Sequence, residues 1–147
     1  MREFKLREHK EEVEKLLRYL PWLEKKSGSS VSSLYKGENL STSTISFPVY
    51  DSTLLSFVDE ASKTGLMDEN YLYVYSGYSI RNSEDEKKLI SEATITEADT
   101  LAAILSKYVL EGRTKGLVWT KGVEEGIFLL LLKKMKNLLE IWDGPLA

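Results

Sequence analysis

Near the carboxyl end, the apolar residues Phe128, Leu131, Met135, Leu138 and Trp142 recur at alternating spacings of three and four. That spacing draws one stripe along a helix, and Leu132 and Leu139 widen it. A face this apolar must be covered by other elements, so the chain has to build a packed core around its last third. The unbroken apolar run from Ile127 to Leu132 stops at Lys133 and Lys134. It falls far short of the ~20 residues that a membrane-spanning helix needs. With 147 residues the chain is long enough to bury a core, and one domain over 1–147 is the expectation.

The remainder reads as further helices around one small β element. Val13, Leu16, Leu17 and Leu20 share a face of a first helix from about Arg7, which Pro21 is expected to end. Half of residues 27–46 are Ser or Thr, around the turn signal Lys36-Gly37-Glu38-Asn39. The β-prone residues on either side predict a hairpin of 31–36 with 40–47. Asp51 reads as the N-cap of a helix with Leu54, Leu55, Phe57, Val58 and Ala61 forming a face behind it, and Gly65 closing it in a left-handed conformation. Between Asp68 and Ser79, the alternation of Tyr71, Tyr73 and Tyr75 suits a strand; Leu72, Tyr75 and Tyr78 suit a short helix. Ser83 to Glu86 has capping-box spacing, Thr96 and Asp99 resemble a second box, and Leu101, Ile104, Leu105, Tyr108 and Val109 form the inward face of a helix ended by Gly112. The predicted class is α+β: a mainly helical single domain with a small β-hairpin packed near the first two helices.

Composition removes several kinds of chemistry. There is no cysteine, hence no disulfide, thiolate metal site or cysteine nucleophile. His9, the only histidine, lies in a charged amino-terminal turn, a poor place for a triad base or a metal site. No Gly-rich phosphate loop or dinucleotide fingerprint is present. The acidic pairs Asp59–Glu60, Asp68–Glu69, Glu84–Asp85–Glu86 and Glu124–Glu125 read as helix-start residues favoured by the helix dipole, or as solvated faces. No cofactor and no metal are expected.

Charge is unevenly distributed. Residues 1–26 hold eight basic and six acidic side chains, residues 27–100 five and twelve, and residues 101–147 seven and five. Nucleic-acid binding needs a concentrated basic face, which neither end supplies. The charged start MREFKLREHKEE is unlike a secretory signal, so a cytoplasmic protein without a membrane partner is expected.

Two places could carry function. In the segment 111–119, Arg113 could grip a carboxylate or phosphate, with Trp119 and Tyr50 as further candidate ligand-binding residues. The bland account is that Arg113 caps a helix and Trp119 fills the core. Tyr73, Tyr75 and Tyr78 could form a partner-binding face. The Gly122–Gly126 spacing, with charged flanks, reads as close backbone packing or a break between two helical pieces.

The order of several motifs resembles a family of small, mainly bacterial proteins grouped as a domain of unknown function. Leu16-Leu17-Arg18-Tyr19-Leu20-Pro21 is similar to its opening helix and Leu-Pro step, and Phe47-Pro48-Val49-Tyr50 to its segment before the second helix. Arg113, Gly116, Trp119 and Gly126, then Leu132 and Lys133-Lys134-Met135-Lys136, resemble its closing pattern. Thr114 stands where that pattern has an aromatic, and Lys133-Lys134 where arginine is common. The resemblance implies an intracellular, helix-rich single domain with a small β element, and it implies no activity. The leading expectation is a non-enzymatic binding or protein-interaction domain, acting on an unknown protein partner or on itself. The alternatives are a small-anion-binding domain or enzyme using Arg113, and weak nucleic-acid binding through the basic carboxyl-terminal helix.

Overall fold

The computed structural model describes residues 6–26, 32–35, 47–50, 52–115 and 118–143. A 3-10 turn, Leu6–His9, leads into α1 (Lys10–Leu17) and α2 (Leu20–Lys26). Then come β1 (Ser32–Tyr35), β2 (Phe47–Tyr50), α3 (Ser52–Ser62), α4 (Tyr71–Gly77) and α5 (Ser83–Glu92). A second 3-10 turn, Ile95–Glu97, opens α6 (Ala98–Glu111), followed by α7 (Val118–Glu124) and α8 (Ile127–Asp143).

The core is built on α6 and α8. Leu101, Ile104, Leu105, Tyr108 and Val109 of α6 are buried, as are Phe128, Leu131, Leu132, Met135, Leu138 and Leu139 of α8. Trp142 lies within α8, but its side chain falls outside the described residues. Phe128 is the aromatic centre. Its ring meets Phe57 of α3 edge-on at 4.9 Å and Tyr108 at 5.8 Å, and Phe57 meets Tyr19 at 5.3 Å. Such tilted pairs set the positive ring edge against a negative face.

The approach of α7 to α8 depends on two glycines. A Cβ on Gly122 would lie 2.6 Å from the Phe128 ring, and Gly126 takes φ 77° between the helices. Close packing and a helix break, the two structural accounts of that spacing, therefore both apply. Gly65 differs from expectation: it is not left-handed. Its bare backbone admits the His9 ring, which a Cβ would approach to 2.9 Å, while its N–H donates to Glu12 at 2.8 Å.

The α+β class is corrected. The fold is mainly helical, and the described buried side chains all come from helices and the turns joining them. The expected hairpin of 31–36 with 40–47 is corrected with it, and residues 36–46, including its turn signal, lie outside the described residues. Among the described residues, the strands form one four-residue antiparallel ladder, pairing Ser32 with Tyr50 and Tyr35 with Phe47. β-prone residues build a layer only where a sheet face meets a complementary surface, and two short strands offer little. The helical stripes cover one another instead.

Other boundaries shift for local reasons. Pro21 does not end the first helix; it lies in the first turn of α2, where its missing N–H leaves no bond unmade. Within the stretch from Asp68 to Ser79, residues Tyr71–Gly77 form the helix α4. The N-cap of α5 is Asn82, whose side chain accepts the Asp85 N–H at 2.9 Å, which frees Ser83 and Glu86 for other partners. The box before α6 joins Thr94 and Glu97 rather than Thr96 and Asp99. Asp51 lies outside the described residues.

Candidate functional site

α5 turns Glu86 and Ile90, with Ala93 just past its end, toward the core, and the first of these is a carboxylate. Glu86 is only 1% exposed. A buried carboxylate is tolerable only when its oxygens are bonded or its charge is matched. Here both conditions hold. Tyr108 of α6 donates to Oε1 at 2.6 Å, Tyr75 of α4 donates to Oε2 at 2.5 Å, and Lys107 Nζ stands 3.4 Å from Oε2. The Lys107 ammonium also rests 5.1 Å from the Tyr75 ring centre and 5.2 Å from that of Tyr108, within cation–π range. Three helices thus meet on one carboxylate.

Burial, then the hydrogen bond to Glu86, raises the ionisation of both Tyr75 and Tyr108 well above the ordinary tyrosine value. Neither hydroxyl becomes a base near neutrality, so the cluster acts as fixed donors around a fixed acceptor. Next to it, Tyr71 is raised by burial and by its hydrogen bond to Glu111, and Ser83 donates to Glu125 at 3.2 Å. Glu125 Oε2 and the Thr120 hydroxyl are buried without a partner among the described residues. Among those residues no group of three or more His, Asp or Glu could hold a metal ion.

The opposite side of α4 has a different character. Leu72, Tyr73, Ser76 and Gly77 fall on one face at helical spacing, and all four are exposed. Leu72 is 64% and Tyr73 76% exposed, and the helix carries no charged residue. The three candidate tyrosines are therefore divided. Tyr73 faces solvent, Tyr78 follows the helix end with nearly half its surface exposed, and Tyr75 is buried on Glu86. The assignment of Tyr75 to an exposed partner face is corrected.

In the 111–119 segment, Arg113 and Trp119 go different ways. Arg113 is exposed on the turn after α6 and makes no ion pair among the described residues. Trp119 turns inward. Its indole N–H donates to the Val109 carbonyl at 2.9 Å, and its ring lies so close to Gly112 that a Cβ there would sit 2.1 Å away. Trp119 is half-buried against the core. Tyr50 ends β2, and its side chain lies outside the described residues. The basic residues of α8 diverge: Lys133 lies 3.6 Å from Glu24 of α2, and Lys134 donates to Ser91 of α5 at 3.0 Å. They form no single basic face. His9 bonds Glu12 at 2.9 Å.

Sequence reasoning missed Glu86 because its spacing from Ser83 imitates a cap. The available signal was its position four and seven residues before Ile90 and Ala93, on the same helical stripe. Among the described residues no helix is long and apolar enough to cross a membrane. Comparison of the chain with protein-family models, with curated proteins and with solved structures finds no match in any of the three.

Proposed function

We propose that this chain is a non-enzymatic interaction domain that engages another protein chain through the outer face of α4. The supporting observation is the pair Leu72 and Tyr73, side by side and largely exposed on an uncharged helix, with the small residues Ser76 and Gly77 beside them. An aromatic next to an aliphatic on a face that an incoming backbone can approach closely suits protein recognition. The inner side of the same helix is fixed by Tyr75 and Glu86, so the face is presented by a positioned element. The cysteine-free sequence supports a cytoplasmic setting. Kinship with the small helix-rich bacterial family rests on the order of its motifs alone.

The test is purification of the tagged full-length chain and of its Tyr73→Asp variant, with mass measurement of each under native conditions. The wild type is expected to carry a second chain, its own or another, in simple stoichiometry. The variant should lose that chain while keeping its helical circular dichroism. A wild type that is monomeric and carries no chain, or a variant that retains the same chain, contradicts the proposal.

A further inference from the structure

α4 packs against α6, but its own sequence weakens it at three places. It has seven residues, too few to persist alone in water. Tyr75 is its one fully buried side chain, ending in the hydrogen bond to Glu86, and half-buried Tyr71 adds a bond to Glu111. At the amino end, Asn70 makes no side-chain cap bond; its side chain leaves the first amides of α4 without the acceptor that Asn82 provides to α5.

At the carboxyl end the chain closes in a Schellman motif. Ile80 N–H donates to Tyr75 O at 3.0 Å and Ser79 N–H to Ser76 O at 3.3 Å, with Ile80 buried like Tyr75. The residue that must turn left-handed there is Ser79, at φ 56°, where glycine would be unstrained. The nearby glycine is instead Gly77, inside the helix, where a Cβ would meet nothing within 4 Å and alanine would favour the helix. Glycine and serine thus stand at each other's preferred places.

We propose that α4 is a releasable strap, fastened by the Tyr75–Glu86 and Tyr71–Glu111 bonds, which opens locally while α6 and α8 stay folded. Opening disperses Leu72 and Tyr73, and closing restores them as one face. The use of this motion in binding rests on the interaction reading above; the motion itself does not. Such a unit belongs at the low end of the range of local stabilities within a fold.

Native-state amide hydrogen exchange on the full chain, without a partner, tests this. The Tyr78 and Ile80 amides, both hydrogen-bonded within the strap, should exchange at least ~10-fold faster than those of Leu105 and Leu131. Tyr75→Phe should speed them about tenfold further with little change in α8, as expected for loss of one bond to a charged acceptor. Gly77→Ala removes no contact and should slow them by roughly two- to fivefold, from its helix preference. Should Tyr75→Phe impair folding of the whole chain, the wild-type and Gly77→Ala rates still decide. Equal protection of α4 and α8 in the wild type, parallel changes throughout the chain in Tyr75→Phe, or no effect of Gly77→Ala overturns the strap. If exchange behaves as expected while Tyr73→Asp keeps its bound chain, the strap stands and the interaction reading falls.

Discussion

Gly112 and Gly77 both lack a side chain, and what surrounds them gives that lack opposite consequences. At Gly112 the Trp119 ring occupies the space a Cβ would need, 2.1 Å from the indole nitrogen. Gly112→Ala is therefore expected to push Trp119 off the Val109 carbonyl and to cost ~1–3 kcal/mol in urea unfolding, the usual range for overpacking. At Ser79 the strain lies in the backbone, so Ser79→Gly should raise stability by up to about 1 kcal/mol, measured in the same way. Inward residues on α6 and α8 are legible one by one, because a stripe of Leu, Ile and Phe has one physical use. Glu86 is not. Its partners come from positions 11 and 22 residues away, and neither tyrosine announces a carboxylate. Trp119 reads more readily as core than as a ligand platform, and Gly112 beneath it shows the packing it makes.

At the scale of elements, helices with long inner stripes emerge from periodicity, while short ones depend on neighbours. The run from Asp68 to Ser79 fits two periods because seven helical residues hold too few turns to separate them. What settles it is tertiary. Ser106 of α6, buried, accepts the Asp68 N–H at 2.7 Å and donates to the Ala102 carbonyl at 2.7 Å, fixing the turn that launches α4. Ser106→Ala leaves that N–H without its acceptor and should cost about 1–3 kcal/mol. Limited proteolysis should then cut first between residues 64 and 70. Pro21 carries a similar lesson, since a proline can open a helix as readily as it ends one.

Across the whole molecule, tyrosine hydroxyls bonded to carboxylates tie the helices together. Tyr75 and Tyr108 share Glu86, and Tyr19 donates to Glu60 of α3, which also pairs with Arg18 at 2.8 Å. Burial and then Glu60 push Tyr19 up to about 12, and Tyr75 and Tyr108 move in the same direction for the same kind of reason. A folded value above the unfolded one, near 10.0, means that this stability is complete below pH 10 and is lost as pH rises beyond it. Denaturation midpoints should therefore hold steady to about pH 10 and then fall, with helical circular dichroism lost over the same range. Tyr108→Phe should lessen the steepness of that fall.

The same carboxylate bears on whether the molecule is held together or made reactive at its centre. Active-site residues are often neutral or favourable to replace as far as stability is concerned, whereas a buried acceptor with two donors is not. Equilibrium urea unfolding of Glu86→Gln against the wild type separates the two. The neutral amide keeps the volume but loses the charge facing Lys107 and one of the two acceptor positions, so the predicted result is a loss of ~2–4 kcal/mol. A Glu86→Gln chain as stable as the wild type, or more stable, would contradict a structural role for this cluster and point to a reacting centre there instead.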